Sequence, residues 1–136
     1  MNSLTVPGDL SSLGAIRDFV RLAAAEAGLD KRLIYRLILA VDEIATNIIV
    51  HGYEENGSAG DVEVAAEISD DSLVIILEDS APPYNPPTEA VREDLDRPLE
   101  ERDIGGLGVF LAIQNVDQFV YERIGDHNRH TFMMKR

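Results

Sequence analysis

Leu37-Ile38-Leu39-Ala40-Val41-Asp42-Glu43-Ile44-Ala45-Thr46-Asn47-Ile48-Ile49-Val50 is the most apolar helix-like stretch of the chain. Two polar residues four apart, Glu43 and Asn47, interrupt it. At about 100° per residue from Leu33, the residues Leu37, Ala40, Val41, Ile44, Ala45 and Ile48 form one broad apolar stripe. Glu43 and Asn47 fall together on its margin, one turn apart and pointing the same way. Asp42 falls on the far side and reads as solvent charge. A carboxylate and an amide at the edge of a core are costly to desolvate without partners. The pair is therefore either the polar flank of an amphipathic helix or a place where a ligand or metal supplies the missing partner.

Working outward, Leu10, Leu13, Ile16, Phe19, Val20 and Ala23 recur at helical spacing, with Asp9 or Ser11 as cap and Gly28 as stop. Asp30 caps the second helix, expected to run to about His51-Gly52. Residues 3–7 suit a short edge strand. Val62, Val64, Ala66 and Ile68 alternate with charged residues as a half-buried strand does, and Leu73 to Leu77 is an apolar run suited to a central strand. Residues 80–103 hold five of the six prolines, with no sustained period; loops this long inside a domain usually carry function. Then come Gly105-Gly106-Leu107-Gly108, a helix-like 109–116, and two strands over 118–123 and 130–134 joined by Gly125-Asp126-His127-Asn128. The pattern predicts an α/β two-layer sandwich with three main helices on one face of a mixed, mostly antiparallel sheet.

The 136 residues suit one domain with one core. A net charge of -13 argues against direct nucleic-acid contact, which needs a clustered basic surface. No apolar run reaches the roughly 18 residues that span a bilayer, so no membrane association is expected. Neither is an export signal visible at residues 1–9. With no cysteine to form a disulfide or ligate zinc, the expected location is the cytoplasm.

Three features could carry chemistry. Asp79 ends the central strand, where it either caps a turn or accepts a hydrogen bond from an exocyclic amine. Gly105, Gly106 and Gly108 open a helix, either as a simple turn or as a cradle for an anion at the helix N-terminus. The pattern is neither a Walker loop nor a dinucleotide fingerprint. His51, His127 and His130 lack ligand-like spacing, and no nucleophile elbow is present.

Taken in order, Leu39-Ala40-Val41-Asp42-Glu43 with Asn47 and His51-Gly52-Tyr53, then Glu78-Asp79 with Pro82-Pro83-Tyr84-Asn85-Pro86, then Leu99-Glu100-Glu101-Arg102 leading into Ile104-Gly105-Gly106-Leu107-Gly108, resemble the GHKL (Bergerat-fold) ATPase superfamily. Within it the chain is similar to the stand-alone anti-sigma-factor serine/threonine kinases. The resemblance implies a single histidine kinase-like ATPase domain over 1–136, with an ATP lid at about 80–104. It implies ATP and Mg²⁺ as cofactors, Asn47 as the metal ligand and Glu43 as general base on the attacking hydroxyl. Asp79 would bind the adenine amine, with Ala81 in the same box. Gly105, Gly106, Leu107 and Gly108 would hold the phosphates, and Thr131 would lie near the adenine. The implied partners are a STAS-type anti-anti-sigma protein, a sigma factor, and a second copy of the chain in a homodimer.

Two departures stand out. Ala81 replaces the glycine of the family's D-x-G box, where a methyl could crowd the base or disfavour a positive φ. Asn128-Arg129-His130 replaces the glycine-bearing lead-in to Thr131. They motivate a second reading, a non-catalytic partner-switching module with weak or lost ATP binding. A third, the ATPase half of a histidine kinase, expects a helix pair with a phosphoacceptor histidine ahead of the domain, and this sequence shows none.

Overall fold

The computed structural model describes residues 2–83 and 112–136. Strand β1 (Asn2–Pro7) leads through one short 3-10 turn (Leu10–Ser12) into helix α1 (Leu13–Glu26). Asp9 caps that entry by accepting the Ser11 N–H at 3.0 Å. Gly28, at φ +79°, ends α1, and the Leu29 N–H returns to the Ala24 carbonyl at 3.1 Å, the close that a left-handed glycine permits. Helix α2 (Lys31–Asn47) starts at Asp30, whose carboxylate accepts the Leu33 N–H at 2.9 Å. Beyond Asn47 the chain stays helical but widens into a π-helical segment, Ile48–Glu54, about two residues past the expected end at His51-Gly52.

Strands β2 (Asp61–Ile68), β3 (Ser72–Asp79), β4 (Gln118–Ile124) and β5 (His127–Lys135) complete the order β1-β2-β3-β5-β4. All four pairings are antiparallel, so no parallel pair of the expected mixed sheet occurs among the described residues. Helix α1 rests on β2 and β3, and α2 on β5. Between the layers, Ile16, Val20, Leu37, Val41 and Ile44 meet Val62, Val64, Leu73, Ile75, Leu77, Phe132 and Met134, all buried. Each such side chain contributes roughly 1.5–3 kcal/mol on leaving water. Of the expected helix at 109–116, residues 112–116 are described; Ala112 and Ile113 are helical, and the chain already turns over 114–116, short of the expected end.

Two expectations change. Asp42 does not point into solvent. It is half-buried and pairs with Arg17 of α1 at 2.9 Å, tying the two helices together. The turn expected over 125–128 closes earlier. Ile124 pairs with His127 across a two-residue loop whose first position, Gly125, has φ +61°, as a tight hairpin requires. Asn128 thereby becomes part of β5, directly opposite Asp79 of β3.

Candidate functional site

At the end of α2, Asn47 is buried and its Nδ2 donates to the Glu43 carbonyl, one turn back, at 2.8 Å. The amide is thereby oriented, with one of its two N–H donors committed. Its Oδ1 accepts no hydrogen bond among the described residues. Glu43 is half-buried, and its carboxylate has neither hydrogen bond nor ion pair among them. Spacing alone brings this pair together, as the sequence predicts.

The π-helical segment then carries the chain to the end of β3. An added Cβ at Gly52 would lie 3.0 Å from the Ala81 methyl, so the glycine leaves room for that methyl. One residue on, Tyr53 is buried, and its Oη donates to the Asp61 carbonyl at 2.7 Å and accepts the Ser80 N–H at 2.9 Å. Its ring fills the space beside two glycines; an added Cβ would come within 2.6 Å of it at Gly8 and 2.8 Å at Gly60. Burial, first, pushes the Tyr53 hydroxyl pKa above its ordinary value; the Ser80 N–H opposes the shift, and the nearby Asp79 and Asp61 charges add to it. Tyr53 thus pins the residue that follows Asp79.

Asp79 itself is 3% exposed. Its two oxygens divide the two readings that its sequence position allows. Oδ1 accepts the Ala81 N–H at 3.0 Å, a turn cap, and also the Asn128 Nδ2–H at 2.8 Å. Oδ2 is buried with no hydrogen bond and lies 3.4 Å from His130 Nε2. Neither ring nitrogen of His130, itself 1% exposed, has a hydrogen-bond partner. Ala81 has no positive φ, so the alanine in place of glycine carries no backbone strain.

Period-two alternation in β5 turns Asn128, His130, Phe132 and Met134 toward the helices. Thr131 faces the other way, half-buried between Ile76 and Val120 on the open side of the sheet. The structure therefore places His130, not Thr131, on the side of Asp79. Asn128, His130 and Tyr53 are the site residues that sequence reasoning gives no role. Counting back in twos from the core residue Phe132 identifies the first two. Gly105, Gly106, Leu107 and Gly108, and nearly all of the expected lid, lie outside the described residues. A shallow depression beside the end of β3 is lined by Asp61, Glu63, Glu78 and Asp79, with His127 at its edge, a mostly acidic lining that repels phosphate. No group of three or more His, Cys, Asp or Glu side chains suited to a metal occurs among the described residues. No described helix is long and apolar enough to cross a membrane.

Comparison with known proteins gives a consistent picture. Residues 6–135 match the family described as histidine kinase-like ATPase domain. The serine-protein kinase RsbW of Halalkalibacterium halodurans is 30% identical over 120 residues, which cover 85% of this chain and 71% of that protein. The RsbW of Staphylococcus aureus is 28% identical over 126 residues, covering 90% and 79%. Among solved structures, the histidine kinase domain of the Erythrobacter litoralis EL346 blue-light activated histidine kinase superposes with a TM-score of 0.56 at 17% identity. That superposition covers 95% of this chain but 61% of the other. The Acinetobacter baumannii histidine kinase AdeS gives 0.53 at 14% identity, covering 99% and 68%. At these identities the two structures bear on fold alone.

Proposed function

The chain belongs to the histidine kinase-like ATPase domain family, and from that premise we propose that it is an ATP-dependent serine/threonine protein kinase and anti-sigma factor. Its protein substrate in this reading is a STAS-type anti-anti-sigma partner, and a sigma factor is the protein it sequesters when that partner is withdrawn. Similarity to two serine-protein kinases supports the activity. The partners rest on the motif resemblance.

The observation that carries the reading is the Glu43/Asn47 pair. With Asn47 Nδ2 held by the Glu43 carbonyl at 2.8 Å, Oδ1 is the atom available to a cation. Mg²⁺ takes few protein oxygens and completes its shell with phosphates and water, so one amide oxygen fits it. Bound Mg²⁺–ATP would supply the phosphoryl group and neutralise its charge. Glu43, with no competing partner among the described residues, would take the proton of the attacking hydroxyl. The base end fits less readily, because Asp79 is enclosed, and that observation favours the non-catalytic alternative.

Incubation with labelled ATP, Mg²⁺ and a STAS-type protein encoded beside this chain tests the proposal. Transfer of label to a serine or threonine is expected, falling by about a hundredfold or more in Glu43→Ala, with both proteins folded. Undiminished transfer in that variant would remove Glu43 from its role, and no transfer at all would leave the binding-module reading.

A further inference from the structure

We propose that Asn128 is a clasp on the base end of the nucleotide site, and that the chain takes nucleotide only when this side chain has left Asp79. The inference rests on the reading of Asp79 as the base-reading carboxylate.

The geometry around Asn128 is saturated. Its Nδ2 lies 2.8 Å from Asp79 Oδ1, 3.0 Å from the Ala81 carbonyl and 3.2 Å from the Pro82 carbonyl. Its Oδ1 accepts the Tyr121 hydroxyl at 2.6 Å and Arg123 Nη1 at 3.2 Å. Arg123 Nη1 in turn donates to the Ala81 carbonyl at 2.9 Å. An amide offers two N–H donors and two acceptor lone pairs, so no capacity is left over. One buried side chain therefore joins the β4–β5 hairpin to the carboxylate and to the backbone two and three residues beyond it. A turn of this size needs a single cap, which Asp79 Oδ1 already provides by accepting the Ala81 N–H. The additional contacts hold the strand end shut.

The enclosed state also carries a cost that a ligand can relieve. Asp79 Oδ2 and both nitrogens of His130 are buried without hydrogen bonds, and a buried polar atom left unpaired is expensive. An exocyclic amine on Oδ2, with a ring nitrogen facing His130, would satisfy atoms that the protein leaves unsatisfied. Closed and open arrangements are thus each stabilised by something the other lacks: the Asn128 contacts in one, ligand bonds to Asp79 and His130 in the other. Affinity is then reduced by the fraction of molecules that are open.

Calorimetric titration of Mg²⁺–ADP into the full chain, wild type, Asn128→Gly and Arg123→Ala, tests this. Asn128→Gly should bind about tenfold to a hundredfold more tightly, the effect of removing charge-assisted hydrogen bonds from the closed state. Arg123→Ala, which loosens the clasp from its exposed end, should gain part of that. Because Arg123 is exposed, this variant carries the test if Asn128→Gly fails to fold. Equal or weaker binding by both folded variants would overturn the clasp while leaving the kinase reading intact. No binding by any of the three at millimolar ligand would overturn the nucleotide reading, and the clasp with it.

Discussion

Tyr53→Phe isolates one oxygen atom and asks what it holds. The ring stays, so no cavity opens; what is lost is a bond donated to the Asp61 carbonyl at 2.7 Å and one accepted from the Ser80 N–H at 2.9 Å. Two net hydrogen bonds at about 1 kcal/mol each set the cost near 2 kcal/mol. Ser80 is exposed, so water can recover part of its share, and a large unsatisfied penalty is not expected. For a chain of this length that corresponds to a fall in Tm of roughly 5–10 °C. Alkaline pH supplies a second signature. The folded-state pKa of Tyr53 is raised, chiefly by burial, so its contribution is fully present below the unfolded value near 10. As pH climbs from there through the folded value, the unfolded chain ionises first and the contribution is lost. Urea melts of wild type and variant at neutral pH and above about pH 10 should show a constant gap that then narrows. Unchanged stability at neutral pH, or a gap that widens in alkali, would refute the argument that this hydroxyl pins the end of β3.

Two smaller tests follow. Gly8→Ala would put a methyl within 2.6 Å of the Tyr53 ring and 2.7 Å of the Gly60 carbonyl. It should cost about 2–3 kcal/mol by urea denaturation, against about 1 kcal/mol for Gly57→Ala, where only a φ of +64° opposes the side chain. The cross-strand pair of Arg129 and Glu78, at 2.7 Å but with both side chains partly exposed, should show a double-mutant coupling below about 1 kcal/mol. That coupling should shrink further at high salt.

What the sequence displays openly is whatever depends on neighbours in the chain. Asp9, Asp30 and Gly28 each act on residues two to five positions away; Asp30 and Gly28 mark the ends of their α-helices, whereas Asp9 caps the short 3-10 turn ahead of α1. The Glu43/Asn47 pair belongs to the same class, since a helical turn alone aligns it. Asp42 departs because its partner, Arg17, is 25 residues away on another helix; a wheel drawn for one helix cannot contain it. The π-helical extension depends likewise on tertiary packing, with Ile48, Ile49, Gly52 and Tyr53 all buried against the rest of the fold.

The base end of the site shows how a local reading and a distant partner can disagree about a single residue. Gly-Asp-His-Asn has the composition of a turn, which by itself places Asn128 in the loop. The hairpin needs only Gly125 and Asp126 to reverse, and the inward parity of Phe132 and Met134 fixes the residues before them. Parity sends Asn128 and His130 inward and Thr131 out. Asn128 then meets Asp79 across 49 residues of chain. The same step moves the weight of the departures from glycine. Ala81 has an ordinary backbone and a methyl seated over Gly52, so it obstructs little in the chain itself. Asn128, by contrast, spends its whole amide on the carboxylate and the backbone beside it. If nucleotide affinity in this chain differs from that of its relatives, the larger lever is therefore on β5, where a glycine would make none of those bonds.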